Sequence, residues 1–195
     1  MPVPPVGLFS AMARGYTVHF DGGENYVKQS IRNRYHILSA NGVQALTIPV
    51  IGQKGKKIPT KDIFIDYNEP WIRIHMRAIE SAYRSSPFFD HYYPRIRELL
   101  NQERDNFLDF FESGMELWTK LLQWKPDYSV GKEYFEGESG FDLRPPIKAP
   151  RDFPSEFRTQ PYLQVFEDRF EFQSNLSVMD LLFNEGPSSL SVLKA

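Results

Sequence analysis

The alternation of hydrophobic and polar residues predicts short β-strands in the first third of the chain. One run ends at Asp21-Gly22-Gly23, which is a typical turn sequence. Asn41-Gly42 lies between two further β-like runs, and both residues tolerate the positive φ angles of a tight hairpin. The predicted strands are residues 16–20, 34–39, 44–50 and 62–66.

A spacing of three to four residues between hydrophobic positions predicts helices elsewhere. The clearest helix begins at Pro70, because proline suits the first helical position. Gly114 is expected to interrupt a later helix, since glycine is a poor helix former. Ser177 and Asp180 form a capping-box pattern at the start of the last helix. The helical patterns cover residues 6–13, 70–84, 96–100, 107–122 and 176–184.

Residues 126–161 differ from the rest of the chain because six prolines interrupt a polar, charged and aromatic stretch. Long connections of this kind are commonly lids, partner-binding arms or mobile excursions. A strand is predicted to resume at 162–166. We therefore expect one domain over residues 1–195 with an α+β fold. A small mixed β-sheet, mainly from the N-terminal third, would be covered by helices, and a Rossmann-like α/β sheet is the alternative.

Composition narrows the possible functions. The formal net charge is −2, so the basic excess typical of nucleic-acid-binding proteins is missing and no nucleic-acid partner is expected. The chain has no cysteine and only four scattered histidines, so we expect no metal site, and we expect no cofactor. Neither a signal peptide nor a membrane span is apparent, which predicts a cytoplasmic protein.

The segment 21–34 is the most interesting candidate site. Asp21 and Glu24 follow a predicted strand, where ligands of open sheets bind. Arg32 and Arg34 are suited to hold a diphosphate or a carboxylate. Paired charges near turns are also common as internal salt-bridge networks, and this alternative stays open. Neutral hydrogen-bonding groups for substrate binding are supplied by Asn25, Tyr26, Gln29 and Asn33.

Two other features allow a functional and a structural interpretation. His75 lies on the hydrophobic stripe of the clearest helix, so it is either a general base or a buried core histidine. The basic loop 52–57 attracts phosphate in principle, but it lacks the P-loop spacing and is interpreted as the end of a hairpin. No Gly-x-Ser-x-Gly sequence occurs, so nothing supports a serine triad.

Several short motifs, taken in order, resemble those of the WbqC-like protein family. Relatives usually have a strand before the Pro-Pro motif, whereas this chain starts almost at that point. We therefore expect either a truncated N-terminus or the absence of that strand. The similar motifs are 4–9, 24–34, 41–42, 46–50, Trp71 with His75, 82–88, 142–144 and 175–187.

This resemblance implies a role in the biosynthesis of bacterial surface polysaccharides such as O-antigen. The implied activity is transfer of an acyl or aminoacyl group, such as glycine, to a nucleotide-activated amino sugar. Arg32 and Arg34 would hold the diphosphate of the sugar nucleotide, while His75 or Glu24 would accept the proton of the attacking amine. Because cysteine is absent, no enzyme thioester forms, and the acyl donor must arrive on a carrier, a coenzyme or a tRNA.

The alternative is a non-catalytic binding or assembly protein of envelope biogenesis. In that case residues 126–161 would form the surface that contacts a partner, and the arginines would be structural. Whether the protein is an enzyme therefore stays open at the level of the sequence.

Overall fold

The computed structural model describes residues 1–52, 57–137, 140–145 and 147–195. Most of the basic loop predicted at 52–57 lies outside these ranges. The helices are α1 (Val6–Ala13), α2 (Trp71–Tyr83), α3 (Phe89–Leu100), α4 (Phe107–Leu121), α5 (Val178–Glu185) and α6 (Ser189–Lys194). The strands are β1 (Val18–Asp21), β2 (Arg34–Ser39), β3 (Gly42–Thr47), β4 (Val50–Ile51), β5 (Phe64–Ile65) and β6 (Tyr128–Gly131).

The strands form three separate pairs. β2 and β3 form the predicted antiparallel hairpin, and Gly42 has the positive φ of 97° that its turn requires. β4 pairs with β5 in antiparallel orientation. β1 pairs in parallel with β6, a strand that was not predicted because it lies in the proline-rich region. The α+β class is confirmed, with the strands distributed over these small sheets around the helices.

The strand predicted at 162–166 is wrong. This segment has no ladder partner among the described residues, and its side chains instead anchor it to the buried carboxylate of Asp180. The Tyr162 hydroxyl and the Gln164 amide donate to Asp180 at 2.7 and 2.8 Å. Phe166 then adopts a φ of 62°, in the left-handed region, which ends the extended run.

α4 continues without interruption through Gly114, contrary to expectation. The glycine is required by packing, because a Cβ at this position would lie 2.3 Å from the carbonyl oxygen of Pro2. The same oxygen accepts a hydrogen bond of 2.8 Å from the indole N–H of Trp118. The glycine therefore lets the N-terminal segment lie directly on α4.

α1 and α2 connect the strands to the helical core. α1 is buried along nearly its whole length, and its Ser10 hydroxyl donates to the carbonyl of Leu193 in α6. α2 is amphipathic and packs its apolar face on β2. No helix in the described ranges combines the length and the hydrophobicity needed to cross a membrane.

His75 lies within this core and is only 3% exposed. The Thr47 carbonyl, 3.1 Å from Nε2, can only accept, so Nε2 carries the proton. Nδ1 then accepts from the Tyr35 hydroxyl at 2.9 Å. Burial lowers the pKa of His75 from its ordinary value of 6.5 to about 4. The side chain is thus a neutral, fully paired link between α2 and the β2–β3 hairpin.

Burial of neutral histidines predicts a loss of stability in mild acid. His75 takes up a proton more readily in the unfolded chain, so its contribution falls as the pH drops from about 6.5 to about 4. The loss is on the order of 3 kcal/mol when the folded pKa is about 4. His36, with the same lowered pKa, adds to the effect in the same direction.

Urea unfolding between pH 7.5 and 4.5 measures this dependence. His75→Gln is expected to lower stability at pH 7.5 by about 1–2 kcal/mol and to flatten the decline on the acid side. His91→Gln, at an exposed position, serves as the control and should leave both values unchanged. An unchanged acid decline in His75→Gln would contradict this account.

Gly114→Ala is expected to destabilise the protein, although alanine is the better helix former. The new methyl group would collide with the Pro2 carbonyl and weaken its bond to Trp118. We expect a loss of about 1–3 kcal/mol in urea unfolding. Ser113→Ala, at the partly exposed neighbouring position, should change stability by less than about 0.5 kcal/mol. Stabilisation by Gly114→Ala would show that packing does not require this glycine.

Candidate functional site

A cavity of about 610 Å³ lies where β1 and β6 meet α1, α4 and the segment that follows β6. Its volume falls within the range of roughly 300–1,000 Å³ that small-molecule sites usually have. Hydrophobic walls dominate the lining, with charged groups gathered on one side. The Phe and Tyr rings of the lining are Tyr16, Phe20, Phe107, Phe111, Phe135, Phe141 and Phe157.

A buried ion pair between Glu24 and Arg32 forms part of the lining. Arg32 donates from Nε to Oε1 at 2.9 Å and from Nη2 to Oε2 at 2.6 Å. The two side chains are 14% and 7% exposed, respectively. The remaining nitrogen, Nη1, is buried and has no hydrogen-bond partner in the described part of the chain. Buried polar groups are normally paired, so this unpaired donor makes Arg32 a candidate ligand-binding residue.

The turn after β1 places Glu24 in the cavity. Oδ1 of Asp21 accepts from the backbone N–H groups of Gly23 and Glu24, each at 3.0 Å, and so closes the turn. A Cβ on Gly23 would lie 2.2 Å from the backbone nitrogen of Tyr134. The predicted Asp-Gly-Gly turn therefore also allows the segment after β6 to pass close to β1.

Arg144 links the segment that follows β6 to the turn after β1. It holds both oxygens of Asp142 at 2.9 and 3.0 Å, and Nη1 reaches Oδ2 of Asp21 at 3.3 Å. The hydrogen bonds from Arg144 lower the pKa of Asp142 below its ordinary value. Nη1 also donates to the Phe135 carbonyl at 2.7 Å, and the Arg144 carbonyl accepts from Nη2 of Arg32 at 2.6 Å. Arg32 and Arg144 thus join the two walls of the cavity.

The charged side chains of the cavity do not favour a diphosphate. Carboxylates outnumber guanidinium groups among the lining residues that the structure describes, and every one of these carboxylates is paired with an arginine. A diphosphate usually requires surplus positive charge, which this lining does not offer. The charged side chains are Asp21, Glu24, Asp142, Arg32 and Arg144.

Only part of the predicted site lines the cavity. Asp21, Glu24 and Arg32 do, so the structure brings these three residues together. Each of the remaining candidates has another environment among the described residues. They are Asn25, Tyr26, Gln29, Asn33, Arg34 and His75.

Most of these side chains outside the cavity lining make contacts that hold the fold together. Arg34 donates from Nε to the Thr47 hydroxyl at 3.0 Å, and the Asn33 amide donates to the Ile48 carbonyl at 3.0 Å. Tyr26 is half-buried, and its hydroxyl has no partner within the described residues. Asn25 and Gln29 are exposed on the turn that joins β1 to β2. His75 lies in the core with both ring nitrogens paired, as described above.

The parallel strand pair adds two residues that sequence reasoning did not select. His19 of β1 and Ser129 of β6 are register partners, and both line the cavity. Nδ1 of His19 lies 2.8 Å from the Ser129 hydroxyl. Arg144 was not predicted as a site residue either; the sequence analysis included it only in the short motif 142–144.

Removing one charge of the buried ion pair is expected to be costly. Glu24→Gln would leave the Arg32 guanidinium in a largely apolar cavity without its carboxylate. We expect a loss of about 3–5 kcal/mol in urea unfolding. The double variant Glu24→Gln/Arg32→Met should recover a large part of this loss, since no unpaired charge remains. Equal losses in the single and double variants would contradict an energetic coupling between the two residues.

Comparisons with known proteins give one family and one partial relative. The chain is similar to an alanine–tRNA ligase of Endomicrobium trichonymphae, with 26% identity over 114 residues. This similarity covers 56% of the chain but only 12% of that protein. No solved structure matches the chain with significance. The model of the WbqC-like protein family matches residues 2–143, which include Asp21, Glu24 and Arg32. Because this match covers well over half of the length of the chain, the chain belongs to the WbqC-like protein family.

Proposed function

We propose that the protein transfers an acyl or aminoacyl group to the amino group of a nucleotide-activated sugar during the biosynthesis of a surface polysaccharide. The observation that carries this proposal is the buried Arg32 in the cavity lining, with one donor nitrogen that has no partner among the described residues. Family membership and the dimensions of the cavity support the same proposal.

The lining suits a sugar ring better than a nucleotide. Aromatic rings offer flat apolar walls, while a few polar groups on one side can bind hydroxyl or carbonyl oxygens. The excess of carboxylates over guanidinium groups in the lining favours an amine over a phosphate. We therefore place the aminated sugar inside the cavity, with its diphosphate and nucleotide outside. This arrangement replaces the role first expected for Arg32 and Arg34 as diphosphate ligands.

The activated donor belongs to a separate molecule. With no cysteine in the chain, the acyl group cannot be carried on a protein thiol. A carrier, a coenzyme or a tRNA supplies it as an ester or thioester. The partial similarity to an alanine–tRNA ligase, whose name refers to an amino acid and a tRNA, is in keeping with an aminoacyl donor.

The two residues first considered as proton acceptors have other tasks in this proposal. Both oxygens of Glu24 already accept from Arg32, so Glu24 orients the guanidinium toward the ligand. His75 lies outside the cavity lining, and its Nε2–H and Nδ1 are both engaged in the core. Glu24 is thus a positioning residue and His75 a structural one.

The second candidate function, a binding or assembly protein, rests on exposed aromatic side chains after β6. Tyr134, Phe135 and Phe141 are 55%, 47% and 48% exposed. The same segment forms a wall of the cavity through Phe135, Phe141 and Arg144. Its deletion would therefore remove the cavity as well as a partner surface, and single exposed side chains are better targets than the deletion.

Ligand binding tests the transferase proposal through thermal unfolding. UDP-glucosamine and glucosamine should raise the melting temperature, whereas UDP and glucose should raise it less. Arg32→Lys keeps a positive charge beside Glu24 but loses the planar fork, so affinity should fall about 10-fold or more. Arg34→Lys, outside the cavity lining, is the matched control and should bind as the native protein does.

Two outcomes would count against this proposal. Equal binding by the Arg32→Lys and native proteins would remove Arg32 from the site. A melting temperature unchanged by a broad panel of amino sugars would favour the binding protein, and the exposed Tyr134 would then be replaced in partner pull-down experiments.

A further inference from the structure

His19 and Ser129 form a histidine–serine pair on neighbouring strands. The parallel register of β1 and β6 sets them side by side, with 2.8 Å between Nδ1 and Oγ. Both residues line the cavity, and Ser129 is exposed to a ligand there. A serine hydroxyl within hydrogen-bond reach of an imidazole is the basic arrangement for nucleophilic acyl transfer.

The imidazole of His19 is held in place on two sides. Its ring centroid lies 4.4 Å from that of Phe135, which covers one face. Gly131 provides room on the Nε2 side, since a Cβ there would lie 2.8 Å from that nitrogen. A larger residue at 131 would therefore move the ring away from its position beside Ser129.

His19 is also the histidine best placed for proton transfer. Burial lowers the pKa of both His36 and His75 to about 4, so neither accepts a proton at neutral pH. His91 is exposed on α3, where its ring packs against Tyr92 rather than lining the cavity. Of the histidines, His19 alone lies on the cavity wall formed by the described residues.

We propose that Ser129 is the acyl-accepting nucleophile of this cavity and that His19 is its general base; this inference rests on the proposed transferase function. Nδ1 of His19 takes the hydroxyl proton while Oγ bonds to the carbonyl carbon of the activated ester or thioester. The bond between the carbonyl carbon and the leaving oxygen or sulfur then breaks. The leaving group takes the proton from His19, and an acyl ester remains on Ser129.

The second half of the reaction releases the acyl group to the acceptor. The amine nitrogen of the sugar attacks the ester carbonyl, and the bond from that carbon to Oγ breaks. His19 takes a proton from the amine nitrogen and returns it to Oγ. The products are an amide and the original serine, so no oxidant, reductant or further reactant is required.

Two small probes test this pair without knowledge of the natural donor. 4-Nitrophenyl acetate should release a burst of 4-nitrophenolate and leave an acetyl group on Ser129, which peptide mass spectrometry locates. A fluorophosphonate should label the same residue. Ser129→Ala should abolish the burst and both adducts. His19→Asn, which retains a polar group near the Nδ1 position, should slow labelling about 100-fold or more.

The control is Ser113→Ala, which replaces a partly exposed serine on α4 whose hydroxyl donates to the Asp109 carbonyl. It should react as the native protein does. Absence of an adduct on Ser129, or labelling at the same rate in His19→Asn, would overturn the assignment. Thermal unfolding confirms that each variant is folded before its reactivity is compared.

Failure of this inference is separable from failure of the proposed function. If amino sugars bind and Arg32→Lys weakens that binding, but Ser129 is never acylated, the transferase acts without a serine intermediate. If Ser129 is acylated but amino sugars do not bind, the acceptor proposed above is wrong and the nucleophile stands. Gly131→Ala, by displacing the imidazole, should reduce acylation in the same way as His19→Asn.

Discussion

The buried guanidinium of Arg32 is the interaction on which the cavity depends. A charge removed from water is tolerated only when a counter-charge and hydrogen bonds replace the lost solvent. Glu24 supplies the counter-charge from the turn after β1, and the Arg144 carbonyl supplies an acceptor from the segment after β6. Satisfying one side chain therefore brings together two parts of the chain that are more than a hundred residues apart. The third nitrogen, Nη1, has no hydrogen-bond partner within the described residues.

Local patterns predicted those parts of the fold that local forces determine. The β2–β3 hairpin follows from Asn41-Gly42, and α2 follows from its hydrophobic stripe. The strand predicted at 162–166 was wrong because side chains hold this segment: Tyr162 and Gln164 donate to the buried Asp180, and the Leu163 backbone N–H donates to Glu185. Gly114 likewise reflects a distant neighbour, Pro2, and not the preference of its own helix.

In the candidate site, too, only the residues that lie close together in the sequence could be predicted. Asp21, Glu24 and Arg32 lie close in sequence, so their common position could be read from the turn and its charges. The pairing of His19 with Ser129 could not be predicted in this way, because it depends on parallel pairing with β6, a strand in the proline-rich region that the sequence pattern did not predict. The pattern around a histidine separates core positions from accessible ones. His75 lies on the hydrophobic face of a helix and is buried, whereas His19 lies on a short strand and lines the cavity.

The pairing of β1 with β6 has a consequence for how the protein is made. His19 and Ser129 are separated by 110 positions along the chain, and the intervening residues include α2, α3 and α4. Contacts between such distant residues carry a large entropic cost before they form, and they slow folding. On the ribosome, the cavity cannot assemble until β6 has emerged, well after the β2–β3 hairpin is available. An incomplete chain would therefore contain folded elements but only one wall of the cavity.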